Sequence, residues 1–299
     1  MRINIGDTTL FFEVYGNKVN WQGENTHEKP TLIFLHGGAG FLNQAPYLTF
    51  WSRFADVAQV IFLDQRGSGL SSCQDKSTWN LKQWGQDVYQ FCQALHIKKP
   101  IVAGISYGGM VAQSYAMQYP DHPAGIVMTD TDAHIDQDHM LTLVAEKCRE
   151  KNYPVEQGVA IAQQVLQGPL TPEVIERYFN DILTLFGDPV PAVLDDFSRC
   201  DPKLANVELG EDFLAGELLT MDYRDKLKDI PCPVLFLTGD QGPMHSLKTA
   251  QELIAAFPAE TIEPHVFEGA KAACYESDPE RAEKLIRTFL TRAAHKPGV

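Results

Sequence analysis

Short apolar runs alternate with amphipathic stretches along most of this 299-residue chain. Apolar residues at helical spacing predict helices over 81–95 and 280–292. Strands bounded by polar or glycine-containing turns are predicted over 8–15, 31–35, 60–64, 101–105, 125–129, 234–238 and 265–267. Short buried strands that alternate with helices predict an α/β fold, with a mostly parallel sheet and helices on both of its faces.

One long segment departs from this alternation. Between 134 and 229 the pattern is helical and contains no convincing strand. A helix start is expected at Thr171, followed by Pro172 and Glu173, and a helix end at Gly187. We therefore predict a core domain over 1–133 and 230–299 and a helical cap (lid) inserted over 134–229. The polar stretch 17–29 is expected to be a loop.

The stretch Gly104-Ile105-Ser106-Tyr107-Gly108-Gly109 lies between a predicted strand and a predicted helix. Glycines on both sides of a serine allow a tight strand-to-helix turn that exposes the serine oxygen. The start of the helix also favours negative charge that develops there. Ser106 is therefore the candidate nucleophile.

A second glycine-rich turn, His36-Gly37-Gly38-Ala39-Gly40, follows the strand 31–35. Such a turn can direct backbone amides at an oxyanion, and Gly38 and Tyr107 are the expected pair of donors. Its spacing matches neither of the common phosphate-binding glycine loops. We expect His36 to hold this turn in place and not to act as a base.

These loops, together with Asp64-Gln65-Arg66-Gly67, resemble the α/β-hydrolase fold superfamily and, within it, the proline iminopeptidase-like branch. The resemblance covers nearly the whole chain. It implies a serine hydrolase that acts on a small ester, lactone or amide, and a structural role for the turn at 64–67. The branch has proline where this chain has Ala39, so the resemblance defines the superfamily better than the substrate.

A serine nucleophile needs a histidine base and an acid that orients the histidine. The resemblance implies an acid three residues after Gly239, but that position is Gly242. Asp130, at the end of the strand 125–129, is the preferred substitute. Asp240 is the alternative, and Asp132 is a weaker candidate on the same loop as Asp130.

The base is missing from its expected position. Counting back from Pro279 in the family pattern places the histidine at Ala272, which cannot transfer a proton. We favour an engineered exchange of histidine for alanine, ahead of a natural protein that binds ligands without hydrolysing them. The third explanation is a histidine from the same sheet edge, His134 or His245. His139 is expected to lie farther away in the cap, and His265 inside a strand.

Composition narrows the partners to a small-molecule substrate. The net charge of −14 argues against nucleic acid and against an anionic membrane surface. The scattered cysteines form no metal-binding pattern and indicate buried thiols of a cytoplasmic protein. We expect no cofactor and no metal, and the oligomeric state stays open.

Two sets of residues could select the substrate. Carboxylates that could bind the amino group of a peptide occur at Glu208, Glu211, Asp212, Glu217 and Asp222. Apolar residues that could line an ester pocket occur at Phe41, Leu42, Tyr178, Phe179 and Phe186.

Overall fold

The computed structural model describes residues 1–22, 25–72, 75–187 and 198–294. Eight strands form one sheet in the order β1-β2-β6-β5-β7-β8-β9-β10. The strands from β6 to β10 are mutually parallel, and β1 and β2 add an antiparallel edge. The strands are β1 (Arg2–Asn4), β2 (Thr9–Tyr15), β3 (Val19–Gln22), β4 (Asn25–Glu28), β5 (Thr31–Leu35), β6 (Gln59–Leu63), β7 (Ile101–Ile105), β8 (Gly125–Thr129), β9 (Val234–Gly239) and β10 (Ile262–Phe267).

The described α-helices lie between these strands and after them. They are α1 (Leu48–Trp51), α2 (Leu81–Ala94), α3 (Tyr107–Gln118), α4 (Gln137–Glu150), α5 (Val155–Gln167), α6 (Pro172–Arg177), α7 (Val207–Ala215), α8 (Glu217–Thr220), α9 (Leu247–Ala256) and α10 (Pro279–Ala294). A π-helical turn at Tyr178–Ile182 extends α6, and short 3₁₀ turns occupy Ala45–Tyr47, Ser52–Asp56, Lys76–Thr78, Leu183–Phe186, Pro202–Leu204, Leu227–Asp229 and Cys274–Glu276. Within these ranges no helix is both long and apolar enough to cross a bilayer.

The central strands β5, β7, β8 and β9 are buried along their whole length, and most of their residues are apolar. In β5, Ile33 and Leu35 join the apolar cluster on one face, and Leu32 and Phe34 join the cluster on the other face. Successive side chains of a strand point to opposite faces, so a continuous apolar run requires cover on both sides. The predicted α/β fold with a mostly parallel sheet is confirmed.

The described part of the segment between β8 and β9 contains helices and no strand, as predicted, although an isolated bridge pairs His134 with Asp222. Its first helices, α4 to α6 with the turns that follow α6, share an apolar cluster formed from residues between Met140 and Phe186. Thr171 caps α6 by accepting a hydrogen bond from the Val174 amide at 3.3 Å, and Gly187 ends the following 3₁₀ turn. We call this segment the helical insertion. Its first half packs on itself, and α7 and α8 pack on the core through Leu209, Phe213 and Leu218.

The structure differs from the sequence-based prediction in the polar stretch 17–29. Strands β3 and β4 form an antiparallel hairpin there instead of a loop. The hairpin forms a separate two-stranded sheet and is not covered by the core, so its polar residues gave no alternating pattern. Cys92, Cys148 and Cys274 are buried as expected, and Cys73 lies outside the described residues.

Candidate active site

Ser106 occupies the turn between β7 and α3 in a strained backbone conformation. Its φ is 50° and its ψ is −119°, a combination that side-chain-bearing residues rarely adopt. The turn is tight, because a Cβ atom on Gly104 would lie 2.3 Å from the carbonyl oxygen of Gly108. The side chain of Ser106 is only half-buried, in contrast to its neighbours. The predicted exposed serine at a strained strand-to-helix turn is therefore present.

His245 contacts both Ser106 and Asp132. Its Nε2 atom lies 3.2 Å from Ser106 Oγ, and its Nδ1 atom lies 2.5 Å from Asp132 Oδ2. A carboxylate only accepts hydrogen bonds, so the imidazole carries its proton on Nδ1 when it is neutral. The unprotonated Nε2 then faces the serine hydroxyl. This is the arrangement that a serine needs in order to lose its proton to a base.

The sheet brings these three residues together. Strands β7, β8 and β9 are parallel neighbours, and Ser106, Asp132 and His245 all follow the carboxyl ends of these strands. Carboxyl ends of parallel strands meet at one edge of the sheet, where ligand sites of α/β folds form. The grouping therefore follows directly from the order of the strands.

A helix cap fixes the position of His245. His245 directly precedes Ser246, which is the N-cap of α9. The Ser246 hydroxyl accepts from the Thr249 amide, and Thr249 Oγ1 accepts from the Ser246 amide, both at 3.2 Å. This reciprocal capping box sets the direction in which the chain enters the helix. The spacing Ser246-x-x-Thr249 is visible in the sequence and could have favoured His245 over the other histidines.

The pair of His245 and Asp132 is shielded from solvent. The side chain of Asp132 is 1% exposed and that of His245 is 10% exposed. Burial lowers the pKa of His245, but the carboxylates of Asp132 and Asp130 raise it by more, so the pKa lies above its ordinary value. The second oxygen of Asp132, Oδ1, is buried without a hydrogen-bond partner among the described residues.

Asp130, the acid that the sequence favours, contacts other groups. Its Oδ1 accepts from the Gly239 amide and its Oδ2 from the Cys274 amide, each at 2.9 Å. Burial raises the pKa of Asp130 by more than these two amides lower it, so the pKa lies above its ordinary value. In the described structure its hydrogen bonds thus join the ends of β8 and β9 to the turn after β10, and none of them goes to a histidine.

The other sequence candidates are separated from Ser106 by their contacts or their exposure. Asp240 accepts from the Gly269 amide at 2.7 Å, and Ala272 is exposed on the turn after β10. His134 Nε2 lies 2.9 Å from Glu252 Oε2.

Two further histidines lie on other elements. His139 lies in the first turn of α4, and His265 Nε2 lies 3.1 Å from Glu263 Oε1 within β10. Of all the candidate bases, His245 is the one whose ring contacts the serine oxygen.

The glycine-rich turn packs directly beside Ser106. A Cβ atom on Gly37 would lie 3.4 Å from the carbonyl oxygen of Ile105, and Gly38 has a φ of +64°. His36 is fully buried: its Nε2 accepts from the Gln65 amide at 3.2 Å, and its Nδ1 donates to the carbonyl of Gly37 at 2.8 Å. The structural role expected of His36 is confirmed, and the joint use of the Gly38 and Tyr107 amides stays a prediction.

The turn at 64–67 also has the expected structural contacts. Asp64 accepts from the Gln44 and Leu70 amides at 3.0 and 2.8 Å. Arg66 is 2% exposed and pairs with Asp87 through two hydrogen bonds of 2.7 Å. These bonds fix the turn at 64–67, whose Gln65 amide donates to His36 of the glycine-rich turn.

The fold places the chain among the α/β hydrolases, and comparison with known proteins gives the same class of protein. The family model described as alpha/beta hydrolase fold matches residues 30–278, so the chain belongs to this family. A 3-oxoadipate enol-lactonase of Acinetobacter baylyi is 27% identical over 241 residues, covering 79% of this chain and 80% of that protein. A proline iminopeptidase of Clostridium botulinum is 28% identical over 229 residues, covering 73% of this chain and 75% of that protein.

Solved structures agree on the fold. The proline iminopeptidase of Mycobacterium smegmatis superimposes with a TM-score of 0.71 at 21% identity, covering 98% of each chain. The predicted similarity to the proline iminopeptidase-like branch is confirmed, and the relatives named above are hydrolases. Across the described ranges, no three His, Cys, Asp or Glu side chains are grouped so that they could bind a metal ion.

Proposed function

We propose that the protein is a serine hydrolase in which Ser106 is the nucleophile, His245 the base and Asp132 the acid. The observation that carries this proposal is the imidazole of His245, which lies 3.2 Å from Ser106 Oγ and 2.5 Å from Asp132 Oδ2. With this base, the serine does not need a histidine at position 272. The proposal therefore requires no engineered exchange to explain Ala272.

The reaction follows from the proton positions. His245 Nε2 takes the proton of Ser106 while Oγ bonds to the substrate carbonyl carbon, and the negative charge moves to the carbonyl oxygen. The amides of Gly38 and Tyr107 stabilise this oxyanion. The imidazolium then gives its proton to the leaving oxygen or nitrogen as that bond breaks. A water molecule, deprotonated by His245, then attacks the acyl carbon. The bond from this carbon to Ser106 Oγ breaks, Oγ takes the proton from His245, and the acid product leaves.

Asp132 acts through the imidazole. It keeps the proton of neutral His245 on Nδ1 and stabilises the positive charge that the ring acquires in each half of the reaction. Burial strengthens this interaction because water does not screen it. Asp130 and Asp240 are assigned structural roles instead, since their carboxylates accept from backbone amides.

We infer that the substrate is an ester or a lactone. An aminopeptidase needs a carboxylate for the charged amino group of its substrate, but most acidic residues of α7, α8 and the following turn already have partners within the protein. Glu208 pairs with Lys76, Glu211 accepts from the Leu170 amide, Glu217 accepts from the Leu81 amide, and Asp222 pairs with Arg224. An enol-lactonase and a proline iminopeptidase are similar to this chain to the same degree, so the choice rests on these paired acidic residues.

The apolar part of the pocket must then come from residues near the serine. Phe41 lies against α7, because a Cβ atom on Gly210 would lie 2.2 Å from its ring. Tyr178 and Phe186 are buried in the apolar cluster of the helical insertion, and Phe179 is 52% exposed. Of the aromatic residues expected to line a pocket, Phe41 is therefore the best candidate.

We propose that the helical insertion, over 134–229, is a lid over this site. The Asn206 amide donates to the carbonyl of Gly40 at 2.7 Å, next to the glycine-rich turn. The ring of Phe213 in α7 lies 5.3 Å from the ring of Tyr107, the residue after the nucleophile. These contacts support a role for the insertion in shaping the space above Ser106.

The test is a set of matched variants assayed on p-nitrophenyl esters, lactones and proline arylamides. His245→Gln should lower kcat by on the order of 10⁶, as loss of the base does in an intact triad. His265→Gln is the control, because that imidazole pairs with Glu263 and not with the serine.

Labelling with a fluorophosphonate provides a readout that needs no known substrate. The unmodified chain should be labelled on Ser106, and Ser106→Ala should not be labelled. Lack of labelling together with lack of turnover of the unmodified chain would favour a protein that binds ligands without hydrolysing them. Fast hydrolysis of proline arylamides alone would contradict the choice of an ester or lactone.

A further inference from the structure

Gln113 is a polar residue in an apolar part of α3. It is completely buried, and its neighbours Met110, Val111, Ala112 and Ala116 belong to the apolar core. Burial of an amide is unfavourable unless its donors and acceptors are paired. An apolar side chain would fit this environment better, so the glutamine requires a specific explanation.

The amide of Gln113 connects α3 to the acid loop. Its Nε2 donates to the backbone carbonyl of Asp132 at 3.1 Å. Its Oε1 has no hydrogen-bond partner within the described ranges. Within the described ranges, the bond to Asp132 is thus the hydrogen bond that offsets burial of this side chain. It fixes the backbone of the residue whose carboxylate holds His245.

Thr131 makes the opposite connection. Its hydroxyl donates to the backbone carbonyl of Ser106 at 2.7 Å, and its side chain is buried. Gly109 makes room for it, because a Cβ atom there would lie 2.6 Å from Thr131 Cβ. A side chain of the acid loop therefore holds the backbone of the nucleophile, and a side chain of the nucleophile's helix holds the backbone of the acid.

We propose that Gln113 and Thr131 are positioning residues that fix the separation of Ser106 and Asp132 so that His245 can contact both. The inference rests on the proposed function. Ser106 and Asp132 follow separate strands, so the distance between them is restrained only by non-covalent contacts, such as the hydrogen bonds of the sheet. Two reciprocal hydrogen bonds supply that restraint at the backbone of both residues. Neither side chain takes part in proton transfer.

The variants are Gln113→Met, which keeps length and removes the donor, and Thr131→Val, which keeps shape and removes the hydroxyl. Each should lower kcat roughly 10- to 100-fold with little change in KM, because small displacements of catalytic groups have effects of that size. The rate of Ser106 labelling by a fluorophosphonate should fall in parallel. Thr131→Ser, which keeps the hydroxyl, should retain most of the activity of the unmodified protein.

Stability separates positioning from a general structural role. Gln113→Met removes an unpaired buried oxygen as well as a donor, so its melting temperature should stay within about 4 °C of the unmodified protein. Gln118→Met is the matched control on the same helix, since the Gln118 amide bonds to Ser114 and Lys82 and not to the acid loop. This control should keep full kcat.

A double-mutant cycle tests whether Gln113 acts through Asp132. On top of Asp132→Asn, the loss caused by Gln113→Met should shrink to less than about 3-fold, since residues of one catalytic unit are not additive. Equal losses in both backgrounds, or full activity of Gln113→Met alone, would overturn the inference while leaving Ser106 as nucleophile. An unmodified chain that is neither labelled nor active would instead overturn the proposed function, and this inference with it.

Discussion

Exchange of Asp132 for asparagine should leave the protein folded and nearly inactive. The bond from His245 Nδ1 to Asp132 Oδ2 is 2.5 Å long and shielded from solvent. An asparagine there can turn its NH₂ group toward Nδ1, which places the imidazole proton on Nε2. Nε2 then faces Ser106 as a donor and cannot accept its proton. A change of this kind lowers kcat by about 10⁴, which corresponds to roughly 5 kcal/mol of transition-state stabilisation.

The matched comparison is Asp130→Asn. Asp130 accepts from two buried amides at 2.9 Å, and an asparagine can accept from only one of them with its single oxygen. The loss should be about 1–3 kcal/mol of folding free energy, with a smaller effect on kcat than Asp132→Asn. The assays are kcat on a p-nitrophenyl ester and thermal unfolding for both variants. Loss of activity in Asp130→Asn at unchanged stability, with Asp132→Asn active, would show that Asp130 is the acid.

Three more predictions concern acidity, the vacant base position and the buried ion pair. Because the pKa of His245 is raised, kcat should rise with pH around a midpoint above about 6.5. The stabilisation from the ion pair of His245 with Asp132 should be full below pH about 6.5 and lost as pH rises through the folded-state pKa. Unfolding of the unmodified protein and of His245→Gln across this pH range measures that stabilisation. Ala272→His should change kcat little, since Ser106 already has a base; a gain of about 10³ or more would show that the base was missing. Asp87→Ala should cost about 3–5 kcal/mol of folding free energy, measured by denaturant unfolding, because it leaves the buried charge of Arg66 without that partner; a loss below about 1 kcal/mol would contradict this.

Local patterns in the chain predicted most strands of the main sheet and the position of the serine. Apolar runs that end in glycine-rich or polar turns predicted β5, β7 and β8 to the residue, because each strand is buried on both faces over its whole length. The turn around Ser106 was predictable for a related reason. Glycines at fixed spacing indicate a close approach between backbones, and one such approach, between Gly104 and Gly108, joins residues only four apart in the chain.

The histidine and the aspartate that accompany the serine are identified by contacts in the folded chain and not by local pattern. His245 is 139 residues from Ser106 and 113 residues from Asp132, and no local pattern relates positions so far apart. Asp130 and Asp132 follow the same strand, and their roles differ because one carboxylate faces buried amides and the other faces an imidazole. The order of the strands puts β7, β8 and β9 side by side, and the contacts at their carboxyl ends then select the three residues.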